Sequence, residues 1–226
     1  VGDNRRISES MNAIMLGPAV VRMGLLSRLI PLPALSYLAR EVAQEFGRTQ
    51  REREDFMLDG IAVDIADFLM KDPELQKKSE IKVFGFLGAY HRGVPVALKG
   101  AGDAISTHTV DSGKYFDHMM DAAQRSRFGE ELTLDDGKRI VLGMIFELIY
   151  NHIDKRSTIF WKIHRYGSMS LVTRILADEF FDVADDVYKV FVTQRDSGKL
   201  ITFFNQLVAS REASITKRVD EWVDKL

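Results

Sequence analysis

Apolar residues recur every three or four positions along most of this chain, which is the spacing of one face of an α-helix. The run Leu35, Leu38, Val42 and Phe46 shows the pattern clearly. No alternation of period two, which would indicate strands, persists anywhere. All five prolines lie in the first half of the chain, so none interrupts a helix in the second half. We therefore predict an all-α fold, a compact multi-helix bundle.

The centre of the bundle is predicted to be a helix from about Thr133 to Ile153. Between Ile140 and Tyr150 the only charged residue is Glu147. A helix that is apolar on all sides is one that other helices cover. Thr133 is a suitable N-cap, and Asp135 and Asp136 favour the positive end of the helix.

The remaining helices are predicted from periodicity and from capping and breaking residues. They cover residues 8–16, 18–30, 33–71 with a break at Gly47 or Gly60, 112–127, 157–167, 168–193, and 197–226 with a break near Ala209. Residues 81–110 hold five glycines and Pro95, and we expect short helices joined by turns there. We expect a single domain over residues 1–226, with a subdivision near 72–80 or 128–133 as the alternative. The start at Val1 instead of Met indicates trimming or excision from a longer chain.

The amino-acid composition excludes several classes of function for this chain. The chain has no cysteine, which excludes disulfides, thiolate catalysis and cysteine-bound zinc. The net charge of -2 gives no overall attraction to nucleic acid, so we predict no nucleic-acid partner. Gly113-Lys114 is not a phosphate-binding loop, because His108 stands where the first glycine of that motif is required. We predict no cofactor, and either a cytoplasmic location or secretion without disulfides.

The most enzyme-like feature is an acidic stretch of one predicted helix, residues 178–186. Asp178, Asp182 and Asp185 share a face there, and carboxylates so placed can hold Mg²⁺ together with substrate phosphates. Asp178-Glu179-x-x-Asp182 resembles the acidic motif of isoprenoid synthases, which implies a Mg²⁺-dependent enzyme. The resemblance covers five residues, and no second acidic cluster accompanies it. A solvated helix face is the favoured interpretation, and no metal site is predicted.

Glu147 is a candidate buried polar residue, because its predicted helix is otherwise apolar. A buried carboxylate must be neutral, paired or near water. A catalytic acid fits this description, but a structural glutamate bonded to Asn151 or to a buried arginine is favoured. On that reading Glu147→Ala costs about 1–3 kcal/mol. Among the histidines, we expect His118 on a solvated, ion-paired surface.

Two segments are typical of interaction surfaces. Residues 10–40 contain three arginines, no acid and many apolar residues, which suits a membrane interface or a partner's groove, although core helices are the favoured interpretation. Residues 155–166 mix cations with aromatic rings, as partner and membrane surfaces do, or form an ordinary amphipathic helix. The candidate surface residues there are Lys155, Arg156, Trp161, Lys162, Arg165 and Tyr166.

These observations predict a non-enzymatic helical module that binds another protein of unknown identity. The alternative is a membrane-active domain of a secreted toxin or effector that binds an anionic membrane surface. A Mg²⁺-dependent enzyme that uses residues 178–186 ranks third.

Overall fold

The computed structural model describes residues 16–77, 94, 96–98, 117–150 and 169–223. Over these ranges the protein is an all-α multi-helix fold without strands, as predicted. The helices are α1 (residues 16–27), α2 (Leu32–Lys71), α3 (Pro73–Gln76), α4 (His118–Arg127), α5 (Leu134–Tyr150), α6 (Met169–Glu179), α7 (Ala184–Thr193), α8 (Ser197–Ser210) and α9 (Glu212–Val223). A 3₁₀ turn, Phe181–Val183, separates α6 from α7.

The long helix α2 is continuous over 40 residues, which makes it about 60 Å long. It begins after Pro31 and ends at Asp72, whose extended backbone precedes Pro73. Neither Gly47 nor Gly60 breaks it. Gly47 serves packing instead, because a Cβ there would lie 2.5 Å from Ala123 O of α4.

Helix α5 lies at the centre, as predicted, and packs against α2, α4, α6 and α7. Thr133 caps it: its Oγ1 accepts a hydrogen bond from Asp136 N, and Asp136 Oδ2 accepts one from Thr133 N at 2.8 Å. Near the other end, the ring of Phe146 lies 5.7 Å from that of Phe180 and 5.8 Å from that of Phe204. The predicted continuation to Ile153 lies outside the described residues.

Three predicted boundaries are wrong at the ends of α1 and α4. Gly17 and Pro18 do not separate two helices, because both lie within α1, where Gly17 lets the chain approach Val42. Helix α1 ends before Ile30, since Arg28 has a left-handed backbone with a φ of 56°. Helix α4 begins at His118 and not near residue 112, because the side chain of Asp117 accepts a hydrogen bond from Met120 N and caps the helix there.

The predicted helix 168–193 is interrupted at Phe181–Val183. Arg211, between α8 and α9, donates hydrogen bonds to Glu179 O and to both carboxylate oxygens of Asp182. The guanidinium therefore satisfies a carbonyl that the end of α6 leaves free. The break in the last helical stretch, predicted near Ala209, is confirmed at Arg211.

Candidate interaction surfaces

The cationic aromatic segment falls outside the described residues. This applies to Lys155, Arg156, Trp161, Lys162, Arg165 and Tyr166. Their role in partner or membrane binding stays a prediction.

Glu147 is half-buried, so the prediction that it is largely buried is wrong. Its side chain is 34% exposed, and its Oε1 lies 3.4 Å from Arg22 Nη1 of α1. The carboxylate therefore sits at the rim of the α1–α5 contact, where water solvates it. Ion pairs this exposed contribute about 0.2–1 kcal/mol, so we expect Glu147→Ala to cost less than first predicted.

The acidic segment 178–186 is held by cations from other parts of the fold. Asp178 Oδ1 lies 3.2 Å from His118 Nε2 of α4 and 3.4 Å from Arg139 Nε of α5. Burial acts to raise the pKa of Asp178, but His118, Arg174 and Arg139 together hold it below its ordinary value. His118 is buried and not on a solvated surface, because α4 begins there and presses its ring against α5 near Gly143.

Two further carboxylates of the segment are paired in the same way. Arg218 Nε of α9 lies 3.1 Å from Glu179 Oε2, and Lys138 Nζ of α5 lies 2.6 Å from Asp185 Oδ2. The continuous helix on which the predicted shared face depended is also interrupted. Within the described ranges, no three His, Asp or Glu side chains are grouped so as to hold a metal ion. These carboxylates tie α6 and α7 to α4, α5 and α9.

A buried ion pair joins α2 to α4. The carboxylate of Glu54 contacts the guanidinium of Arg127, and both side chains are almost fully buried. Arg127 also donates to Gln124 Oε1 at 3.0 Å and lies over the ring of Phe128. Burial raises the pKa of Glu54 to about 7 despite the opposing effect of Arg127. This cluster is enclosed between two helices, which suits a structural contact and not a binding site.

Helix α1 carries apolar residues on two opposite sides. Val21 and Leu25 are fully buried in the core, which supports the core interpretation of this segment for one side of the helix. The other side is open and is called the α1 apolar face below. It consists of Leu16, Val20, Met23 and Leu26 of α1 and of Leu29, two residues beyond the end of the helix, and these side chains are between 42% and 82% exposed.

The two arginines beside the α1 apolar face are held by the rest of the fold. Arg22 pairs with Glu147. Arg28 donates a hydrogen bond to Gln194 O at 2.8 Å, and its guanidinium lies over the ring of Phe191 of α7. The face therefore presents mainly apolar atoms, with its nearest cations engaged elsewhere.

A second open surface lies at the end of α2. The last buried side chain of this helix is Glu54, and residues 55–71, called distal α2 below, extend beyond it. Phe56, Val63 and Met70 are exposed and recur every seven residues on one side. Sequence reasoning missed this side because it considered only the inward positions, although the spacing of seven was available in the sequence.

No described helix combines the length and the apolar composition that crossing a membrane requires. The chain matches no protein-family model, no curated protein and no solved structure.

Proposed function

We propose that this protein is a helical module that binds another protein through the α1 apolar face. The observation that carries the proposal is a row of four open apolar side chains on a helix whose opposite side is fixed in the core, with exposed Leu29 just beyond the end of the helix. Contiguous apolar patches on a folded surface mark interaction sites, whereas singly scattered apolar residues do not.

The spacing of the row indicates the kind of partner. Leu16, Val20 and Met23 follow the i, i+4, i+7 spacing with which one helix face fills a hydrophobic groove. Because the body of the protein covers the other side of α1, the helix forms a ridge. The complementary surface on the partner is a groove lined with apolar side chains.

Membrane association is the competing use of such a face, and the ion pairs argue against it. Binding to an anionic membrane draws on free cations beside the apolar residues. Here Arg22 is paired with a carboxylate, and Arg28 is bound to a carbonyl and a ring. We therefore favour a groove of a partner protein over an anionic membrane as the surface that binds the α1 apolar face.

The test begins with a photo-crosslinking amino acid at position 23 in cells of the source organism, which identifies the protein bound at the α1 apolar face. Affinity for that purified protein is then measured for the parent and for Met23→Asp. We expect the substitution to weaken binding by tenfold or more, equivalent to about 1.4 kcal/mol, because it places a charge in an apolar contact. Met169→Asp is the matched control, since Met169 is an exposed methionine on α6.

Two results would contradict the proposal. One is an unchanged affinity of the Met23→Asp variant. The other is salt-sensitive co-sedimentation of the parent with anionic vesicles that Met23→Asp abolishes, which would assign the α1 apolar face to a membrane.

A further inference from the structure

Distal α2 exposes apolar side chains to water on more than one side of the helix. Met57, Ile61 and Ile65 continue the side that is buried earlier in α2, and they are only half-buried. Phe56, Val63 and Met70 form a separate row on the opposite side. A helix with apolar residues on opposite sides is typically covered by other helices.

The row on the outer side has the repeat of a helix–helix seam. Phe56, Val63 and Met70 are spaced by seven, the period at which two helices keep the same sides in contact. The row spans about 21 Å along the helix at 1.5 Å per residue. It can therefore take about three layers of side chains from one partner helix.

The charge of distal α2 is one-sided. It carries Asp55, Asp59, Asp64 and Asp67, and its single cation, Lys71, lies 2.5 Å from Asp67. No cation of the described ranges is placed within ion-pair distance of Asp55, Asp59 or Asp64. Asp59 and Asp67 border the row of Phe56, Val63 and Met70, four residues before and four residues after Val63.

We propose that distal α2 binds a basic amphipathic helix of another protein, with the partner's apolar residues on the row Phe56–Val63–Met70 and its cations beside Asp59 and Asp67. The repeat supplies the contact between helices, and the acidic border selects lysine- or arginine-rich partners over acidic ones. The same border repels an anionic membrane. This surface is separate from the α1 apolar face, so it adds a second binding site to the proposed function.

The test uses two synthetic helices of about three heptads each, one built of leucine and lysine and the other of leucine and glutamate. Their binding to the full chain is measured by fluorescence anisotropy at low and moderate salt. We expect the lysine helix to bind about tenfold or more tighter than the glutamate helix, with affinity falling as salt rises.

Two double variants divide the apolar contribution from the charge contribution. Val63→Ser/Met70→Ser removes the apolar row and is expected to weaken binding of the lysine helix by about tenfold or more. Asp59→Asn/Asp67→Asn keeps the row and is expected to weaken binding and flatten its salt dependence. Leu29→Ser is the matched control, because it removes an exposed apolar side chain from the α1 apolar face and should leave this binding unchanged.

The proposal is overturned if the lysine helix does not bind, or if both double variants bind it as the parent does. It is also overturned if sedimentation shows that the chain self-associates and that Val63→Ser/Met70→Ser prevents this, because the occupant is then a second copy. Binding to anionic vesicles that the same variant abolishes would assign the row to a membrane. The two double variants leave the α1 apolar face untouched, so each proposal can fail alone.

Discussion

Gly137 of α5 lies against the backbone of α2. A Cβ at this position would lie 1.9 Å from Ser36 O, which is backbone and cannot rotate away. Gly137→Ala must therefore push the two helices apart, and we expect it to lower the free energy of unfolding by about 1–3 kcal/mol, toward the upper end of that range. Chemical denaturation measures the change.

Gly60→Ala is the matched control within the same helix pair. A Cβ on Gly60 meets nothing within 4 Å, and alanine is favoured over glycine in a helix interior by about 1 kcal/mol. Gly60→Ala should leave stability unchanged or raise it. If both variants denature at the same midpoint, α2 and α5 do not approach each other as closely as the structure shows.

Glu54 makes folding stability depend on pH near neutrality. Its pKa is raised to about 7 from an ordinary value of 4.5, so between these values the folded state binds more protons than the unfolded state. The free energy of unfolding therefore falls as pH rises from about 4.5 to about 7, by at most about 1.4 kcal/mol per pH unit. Above that window this contribution no longer changes.

Glu54→Gln removes the titrating group and keeps its shape. Denaturation of parent and variant at several pH values between 5 and 8 gives, for each, the slope of the free energy of unfolding against pH. Subtracting one slope from the other cancels the contributions of the other titrating groups. We expect the parent to lose stability relative to the variant as pH rises. A difference that is constant with pH would show that Glu54 ionises in the folded chain as it does in water.

At the scale of helices, long periodic segments could be predicted from the sequence, whereas features set by distant contacts could not. Helix α2 and the core of α5 follow from their repeated apolar positions and from the capping of α5 by Thr133. The 3₁₀ turn after α6 depends on Arg211, which is 29 residues from Asp182. No local sequence pattern predicts a contact between residues so far apart.

The candidate surfaces were predicted only in part. The sequence showed that residues 10–40 are apolar and cationic, but α1 is apolar on both sides, so periodicity alone cannot tell which side the core covers. Glu147 was expected inside an apolar helix, and the position of Arg22, 125 residues earlier in the chain, decides that it lies at a rim. Both answers depend on tertiary packing.

Helix α2 is predicted to differ in stability along its length. Its buried side chains end at Glu54, so opening the last 17 residues breaks few buried contacts, and an isolated helix of that length is marginal in water. Amide hydrogens of residues 58–70 should therefore exchange much faster than those of residues 36–54. Mass spectrometry of peptides from each half measures this, and uniform protection along α2 would contradict it.

At the scale of the whole molecule, one continuous group of buried apolar side chains connects all the described helices from α1 to α9 except α3. It extends from Val21 to Val219 and contains Phe146 with no exposed surface. The rings of Phe180 and Phe204, which flank Phe146, come from two different parts of the segment 169–223, since Phe180 follows α6 and Phe204 lies in α8. A core shared in this way predicts that the described helices unfold together.

Phe146→Ala tests that expectation, because it removes a ring on which three parts of the chain meet. Deletion of a buried phenylalanine ring costs about 3–5 kcal/mol. If the core is shared, this loss should lower the melting temperature of a single transition common to the described helices. Far-ultraviolet and near-ultraviolet circular dichroism should then give coincident melting curves for both parent and variant. Phe68→Ala, at an exposed phenylalanine of distal α2, should leave the transition nearly unchanged. Two separated transitions, only one of which Phe146→Ala displaces, would show that the helices fold as independent units and that the shared core does not couple them.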